Sequence, residues 1–254
     1  MSDFTVSFGF EDDSTLPVGN SSSAIEFLCE PDLWGKIPQP ERSIRWAPEW
    51  FKRLDRELGI KDAQGLPGMT IKACLPVTDV FSLGFMLPLP FDVQMNVPED
   101  RVSIQLGWAD NVPFQPIESH LPSQIGAPEP PFESTMPLKF INPWRIKVPD
   151  GYSVLFSQPL SRPDLPYTCF SGLVDCDRFD TTVNIPFVWT GPVGEAFLPA
   201  GTPIAQIIPI KRDSLLKQTV ARAATAAEME QQAGAKQRKY HEESTYSREW
   251  RVKK

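Results

Sequence analysis

The stretch SGLVDCDRF, residues 171–179, places two aspartates one residue apart, directly after a glycine and two apolar residues. Alternation along a β-strand would put Leu173, Asp175 and Asp177 on one face, with the intervening side chains on the other. An aspartate at a strand end can act as general base towards water when its pKa and hydrogen-bond reach suit that role. A solvated turn or an ion pair would use the same residues. The pattern therefore predicts a strand end whose candidate catalytic residues are Asp175 and Asp177, and it leaves the structural interpretation open.

This stretch lies within a proline-rich region of β character. The chain has 254 residues, 41% of them hydrophobic, which is a globular composition. Its 27 prolines exceed the roughly 5% of positions that is usual, and helix interiors reject proline. From residue 69 to residue 210, strand-length runs such as MTIKACLPV (69–77) alternate with proline and glycine. Proline confines strands to edges, bulges or strand ends, so we predict a mainly β fold, a bulged barrel or sandwich.

Helical patterns flank this body on both sides. The segment RWAPEWFKRLDRELG (45–59) places apolar residues on one helical face, with Pro48 in the first turn and Gly59 as a stop, which predicts one short N-terminal helix. After Ser214 the chain is proline-free and alanine-rich, which predicts a helix as far as Gly234. These boundaries predict a polar N-terminal arm at 1–23, a strand–helix lead-in at 24–68, a β body at 69–210 and a helical, basic-aromatic C-terminal arm at 211–254.

Charge is divided unevenly between the body and the C-terminal arm. Residues 1–210 hold 14 Lys and Arg against 26 Asp and Glu, a net charge of −12, whereas residues 211–254 hold 11 against 6, a net charge of +5. A basic arm on an acidic body predicts that the arm meets an acidic surface, either its own body or that of a neighbouring subunit. The acidic body also argues against nucleic acid as a partner.

The sequence predicts no His/Cys metal site, no cofactor and no membrane span. The four cysteines lack CxxC spacing and the chain has two histidines, whereas a structural zinc site needs about four clustered ligands. No run of 18 apolar residues and no export signal is present. We therefore expect a cytoplasmic protein with reduced thiols.

Four segments follow one another in a distinctive order. They are VPDGYSVLFSQPLSRPDL (148–165), SGLVDCDRF (171–179), VNIPFVW (183–189) and FLPAGTPIAQIIPI (197–210). This order resembles the dUTPase and dCTP deaminase superfamily, which has a β-clip fold with a Gly-x-hydrophobic-Asp-x-Asp segment and a later Gly-x-x-Ile-Ala-Gln-hydrophobic-Ile strand. The resemblance covers residues 80–210 and implies a β-clip body.

The resemblance also implies roles for particular residues. Asp175 would be the general base and Phe179 the aromatic residue that packs on the sugar, while Gln206 could hydrogen-bond to a neighbouring strand or to a ligand. Asp92 would stand where the family has a metal-facing aspartate. Arg162 lies near the family's Arg-Ser phosphate-binding segment, which prolines interrupt here, and the glycine-rich C-terminal segment with its arginine is absent. The loss of these phosphate-binding groups predicts a retained fold with a degraded nucleotide site.

A second resemblance, over most of the chain, is to a family of bacteriophage and bacterial proteins. It rests on IPQPERSIRWAPEWFKRL, TIKACLPVTDVFSLGF and LKFINPWRIKVPDGYSVLF, and it implies a phage context rather than a mechanism. The first hypothesis is thus an oligomeric β-clip structural or interaction protein, a virion or assembly component. The resemblance favours a homotrimer, with the C-terminal arm contacting other phage proteins, in the host cytoplasm or the virion. The alternative is a divergent dUTPase-like nucleotide pyrophosphohydrolase or nucleotide-binding regulator that uses Mg²⁺.

Overall fold

The computed structural model describes residues 24–61, 67–133, 135–241 and 246–252. The predicted polar arm at 1–23 lies outside these residues. Within them, antiparallel β-strands predominate over helices, so the predicted mainly β architecture is confirmed. No helix of the described segments is long and apolar enough to cross a lipid bilayer.

Strands make up most of the regular structure in the described part of the chain. The strands are β1 (Glu26–Leu28), β2 (Glu41–Arg42), β3 (Glu57–Lys61), β4 (Pro67–Met69), β5 (Phe85–Pro88), β6 (Val93–Val97), β7 (Gln105–Gly107), β8 (Ile117–Ser119), β9 (Pro137–Phe140), β10 (Arg145–Lys147), β11 (Tyr152–Ser157), β12 (Tyr167–Cys169), β13 (Gly172–Val174), β14 (Ile185–Trp189), β15 (Gly194–Leu198) and β16 (Pro203–Lys211). The α-helices are α1 (Glu49–Arg53), α2 (Leu75–Phe81) and α3 (Ala226–His241).

The strands form three main sheets and two isolated pairs. The largest sheet has the order β13-β11-β16-β5-β2, and the next has the order β12-β14-β9-β8. The third sheet is β15-β6-β7, and β1-β10 and β3-β4 are two-stranded. The pairing of β16 with β5 shifts register between Pro203 and Ala205. This bulge lies at a proline, as the sequence predicts, because proline cannot donate to the ladder.

The two largest sheets are joined through an aromatic core. Phe140 of β9 stacks on Phe187 of β14, with ring centroids 3.8 Å apart, and Tyr167 of β12 meets Phe140 edge-on at 5.0 Å. The Tyr167 hydroxyl donates a 2.6 Å hydrogen bond to the carbonyl oxygen of Pro203 in β16. Burial raises the pKa of Tyr167 well above its usual value, so this hydroxyl keeps its proton. The contact links the four-stranded sheet to the five-stranded one.

Both predicted helices differ from the observed ones in their bounds. The N-terminal helix is confined to α1, because the backbone becomes extended at Leu54 (ψ 130°) and enters the β3–β4 hairpin. At the C-terminus, residues 215–225 have no regular structure, and α3 runs through Gly234 instead of stopping there. Its start is fixed by a capping box, in which the Glu228 carboxylate accepts from the Thr225 N–H and the Glu228 N–H donates to the Thr225 hydroxyl.

The predicted strand MTIKACLPV is also wrong, because most of this stretch is helical. It forms β4 only at its first residue, and then a 3₁₀ turn and the start of α2. The Thr70 hydroxyl accepts from the Lys72 N–H at 3.3 Å, and Pro76 occupies the first turn of α2, where its missing N–H costs nothing. Phe81 at the end of α2 then packs on Phe51 of α1, with ring centroids 4.4 Å apart. This tertiary contact stabilises a short helix in a sequence of β character.

Candidate functional site

The turn that holds the two candidate aspartates follows an edge strand. β13 pairs with β11, which lies between β13 and β16. The chain turns immediately after β13, where the N–H groups of Arg178 and Phe179 donate to the carbonyl oxygen of Asp175 at 2.9 and 2.8 Å. The predicted alternation holds as far as Cys176, which is buried while Asp175 is exposed. It fails at Asp177, because the turn directs that carboxylate back towards the start of β11.

The Asp177 carboxylate is the centre of an internal ion pair. Its side chain is 3% exposed. It accepts a 2.9 Å hydrogen bond from the Gly151 N–H, and the Arg212 guanidinium donates to both of its oxygens, with Nη1 and Oδ1 3.0 Å apart. The hydrogen bond from Arg212 lowers the pKa of Asp177 to about 2, against the opposing effect of desolvation and with help from the Gly151 N–H. Asp177 therefore ties the turn before β11 to the segment that follows β16.

Asp175 has a different environment, because its side chain is 60% exposed. The hydroxyl of Ser153, a buried residue of β11, donates a 2.6 Å hydrogen bond to Asp175 Oδ1. Arg212 Nη1 lies 3.4 Å from the same oxygen. The ring of Phe179, in the same turn, is exposed. Of the two carboxylates, Asp175 is thus the one that water or a ligand could reach.

Arg212 is the residue that the sequence analysis missed. Its Nη1 also donates a 2.8 Å hydrogen bond to the carbonyl oxygen of Tyr152, and its backbone N–H donates to Gly151 at 2.9 Å. The signal that could have found it is register: β11 and β16 pair antiparallel with Tyr152 opposite Lys211. Arg212, the residue after Lys211, therefore lies beside the turn that precedes β11. A cation of the same chain thus pairs closely with Asp177 and more loosely with Asp175.

Gln206 is buried within the body, and backbone groups use both ends of its amide. Its Oε1 accepts from the Leu160 N–H at 2.9 Å, and its Nε2 donates to the carbonyl oxygens of Val80 and Leu83 at 3.1 and 2.6 Å. These bonds join β16 to the loop after β11 and to the end of α2. The partners of the amide are therefore loop and helix-end backbone groups rather than the neighbouring strand that the sequence analysis considered.

Arg162 and Asp92 lie in other contacts, and the structure does not join them to the Asp175 turn. The Arg162 guanidinium forms a bidentate pair with Asp164, with nitrogen–oxygen distances of 2.8 and 2.9 Å, and donates to the carbonyl oxygen of Trp46 at 3.0 Å. Asp92 precedes β6, and its Oδ1 accepts a 2.7 Å hydrogen bond from the Ala200 N–H. Arg162 therefore joins its loop to the segment before α1, and Asp92 joins the segment before β6 to the turn before β16.

The alternative hypothesis places a Mg²⁺ ion on the phosphate oxygens of a nucleotide, so the protein would supply only part of its coordination. Among the described residues no group of three or more His, Cys, Asp or Glu side chains could hold a metal ion. Of the two carboxylates, Asp177 already accepts from Arg212 with both oxygens, whereas Asp175 is 60% exposed.

Acid is expected to remove the stabilisation that the Asp177–Arg212 pair contributes. The folded-state pKa of about 2 lies below the unfolded value of about 3.9. The contribution is therefore complete above the unfolded pKa and is lost as the pH falls towards the folded one. Urea unfolding of the wild type and Asp177→Asn should show a difference in free energy of unfolding that shrinks between about pH 5 and about pH 2. The exposed Asp150→Asn is the control, and a difference for Asp177→Asn that stays constant over this range would contradict the ion pair.

These elements define an antiparallel, mainly β protein whose edge turn carries an internally paired carboxylate site. Among solved structures the chain is similar to a mutant dUTPase from phage phi11 of S. aureus, with a TM-score of 0.37 and 8% identity over 80% of this chain and 99% of that one. It is also similar to a mutant dUTPase of Staphylococcus bacteriophage 80alpha with dUpNHpp, with a TM-score of 0.36 and 9% identity over 80% of this chain and 89% of that one. No protein-family model and no curated protein matches the chain. Both similar structures are dUTPases of staphylococcal phages.

Proposed function

We propose that this chain is an oligomeric, phage-associated β-clip protein with a structural or interaction role, a virion or assembly component with a degraded nucleotide site. The observation that carries this proposal is the contact of Arg212 with Asp175 and Asp177. A side chain of the same molecule occupies both oxygens of Asp177 and lies 3.4 Å from Asp175. Backbone groups of the same chain likewise form hydrogen bonds with the side chains of Gln206, Arg162 and Asp92.

The C-terminal arm supplies the interaction surface under this proposal. Arg212 at its start pairs with Asp177, and Arg251 near its end pairs with Asp79 of α2 at 2.6 Å. Between these anchors, residues 215–233 are exposed to solvent throughout. A segment held at both ends and exposed in its middle is positioned to contact another molecule.

The apolar residues of the arm point to a second copy of this chain as the partner. Leu216 is 96% and Val220 86% exposed, and burying such a side chain contributes about 1.5–3 kcal/mol. The arm as a whole carries a net charge of +5 and residues 1–210 one of −12, so a neighbouring body offers the arm complementary charge. The exposed stretch 215–233 itself holds two basic and two acidic residues, so its own contribution to the contact is apolar. The resemblance to trimeric dUTPases makes a homotrimer the expected assembly.

Placing carboxylates on the arm is expected to weaken this assembly. The double variant Leu216→Asp/Val220→Asp should raise the subunit dissociation constant at least about tenfold, because tenfold corresponds to 1.4 kcal/mol and two buried apolar contacts would be lost. Sedimentation velocity or native mass spectrometry over a dilution series measures this. Leu121→Asp, at an exposed leucine outside the arm, is the matched control. An unchanged native mass for the double variant, or a wild-type monomer, would refute the role given to the arm, and absence of the protein from purified virions would refute the virion role.

The exposure of Asp175 favours the alternative as a second candidate. A divergent nucleotide pyrophosphohydrolase or nucleotide-binding regulator would use Asp175 as base, oriented by Ser153, and a neighbouring subunit would have to supply the missing cationic groups. Calorimetric titration of the intact oligomer with deoxynucleotides and Mg²⁺ tests it. Binding or turnover that Asp175→Asn abolishes would favour this candidate. The absence of binding to every deoxynucleotide tested would exclude it.

A further inference from the structure

The outer face of the β15-β6-β7 sheet carries a cluster of polar side chains that the proposed function does not use. Alternation along β6 buries Val93, Met95 and Val97, and it turns Gln94 and Asn96 outward. The face borders a cavity of about 770 Å³. We name it the amide face, and its residues are Gln94, Asn96, Gln105, Gly107, Glu195 and Phe197.

Strand register arranges the amide face in two rows. Gln94 lies between Phe197 on β15 and Gly107 on β7, and Asn96 lies between Glu195 and Gln105. Neighbouring strands are about 4.8 Å apart, and alternate residues of one strand are about 7 Å apart. The face therefore measures about 10 Å across the strands and about 7 Å along them. Each row thus presents three neighbouring positions across the sheet, with an aromatic ring at one end of the first and a carboxylate at one end of the second.

The hydrogen-bonding capacity of this face is largely unused within the described chain. Its one side-chain hydrogen bond there joins Asn96 Nδ2 to Gln105 Oε1 at 3.4 Å. The ring of Phe197 is 56% exposed. A Cβ placed at Gly107 would approach only the Gln94 Cβ, at 4.0 Å, so the glycine leaves a notch beside that amide. The face is therefore open to a ligand that could stack on Phe197 and reach the amides.

The chemistry of the face selects among ligands. Lys and Arg are missing from its lining residues, so it lacks the cations that bind phosphate or sulfate. Amides both donate and accept hydrogen bonds, and a carboxylate accepts them, which matches hydroxyl groups that do both. An exposed aromatic ring offers an apolar surface to the C–H face of a sugar ring. We propose that the amide face binds a neutral oligosaccharide, with Phe197 as the stacking residue and Gln94, Asn96 and Glu195 as hydroxyl-binding residues.

Titration with defined sugars tests this assignment. The probes are maltohexaose, cellohexaose and chitohexaose, added to the full-length protein and followed by calorimetry. At least one should bind, and Phe197→Ala should weaken that binding at least about tenfold, the equivalent of 1.4 kcal/mol. Gln94→Ala should weaken it severalfold. Phe170→Ala removes an exposed ring elsewhere and should leave the affinity unchanged.

Three outcomes would overturn the assignment. The first is the absence of binding to all three sugars at millimolar concentration, and the second is binding that Phe197→Ala does not change. The third is a fall in native mass caused by Phe197→Ala, which would make the face a contact between copies. Thermal unfolding of each variant separates loss of fold from loss of binding, and the arm variant Leu216→Asp/Val220→Asp should not alter the affinity for sugar.

Discussion

Gly84→Ala is expected to lower the free energy of unfolding by about 4 kcal/mol or more, enough to unfold a marginal protein. Gly84 links the end of α2 to β5, and its φ of +68° lies in the left-handed region. An added Cβ would overlap the carbonyl oxygen of Ile207 and lie 3.0 Å from its carbonyl carbon. Those atoms are backbone of β16 and cannot rotate away, so either the β5–β16 pairing or the loop must shift. The glycine is required by close approach as well as by φ.

A matched glycine separates these two effects. Gly126 has a φ of +83°, but an added Cβ would meet nothing within 4 Å. Gly126→Ala should therefore cost only the backbone strain, about 1 kcal/mol. Urea unfolding followed by tryptophan fluorescence, with equal slopes for the variants, gives the comparison. If Gly84→Ala and Gly126→Ala lowered the free energy of unfolding by similar amounts, β16 would not lie against Gly84 as described.

The mainly β character could be predicted because it depends on short runs of residues that are adjacent in sequence. Strand-length apolar runs punctuated by proline predict strands and bulges wherever they occur, and the register shift at Pro203 is one result. The bounds of the helices could not be predicted in the same way. The Phe51–Phe81 contact decides that 75–81 is helical, and this contact joins residues thirty positions apart. When tertiary packing is unknown, the β-branched residues of this segment predict a strand instead of a helix.

The candidate site shows the same division between local and non-local information. The spacing of Asp175 and Asp177 identified a strand end with two acids, and one of them is exposed there. The sequence could not distinguish their roles, because the difference comes from Arg212, which reaches Asp177 only through the β11–β16 register. A cation 35 residues from its partner in sequence leaves no signal in the spacing of the acidic segment.

Gln206→Leu is expected to lower the free energy of unfolding by about 3 kcal/mol, because the hydrogen bonds that this amide makes to three backbone groups would be lost. The leucine keeps a similar volume but leaves the Leu160 N–H without an acceptor and the carbonyl oxygens of Val80 and Leu83 without their Nε2 donor. An unsatisfied buried group costs about 1–3 kcal/mol. The Val80 carbonyl oxygen still accepts from the Leu83 N–H, so the cost falls mainly on the Leu160 N–H and the Leu83 carbonyl oxygen. Thermal unfolding should shift down by roughly 6–12 °C, since about 1 kcal/mol corresponds to 2–4 °C at this chain length. Gln39→Leu, at an exposed glutamine, should change stability by less than about 0.5 kcal/mol.

The same variant distinguishes the two roles that the sequence allows for Gln206. A ligand-binding glutamine is poised for its ligand, so its loss would reduce nucleotide affinity and leave the free energy of unfolding near the wild-type value. An architectural glutamine gives the reverse, with a large loss of stability and no ligand effect. Gln206→Glu sharpens the test, because the carboxylate can still accept from Leu160 but, when ionised, cannot donate to either carbonyl. Since burial penalises the charged form, this variant should be least stable at neutral pH and recover as the pH falls towards 5, whereas a pH-independent loss would contradict the buried donor role of Nε2.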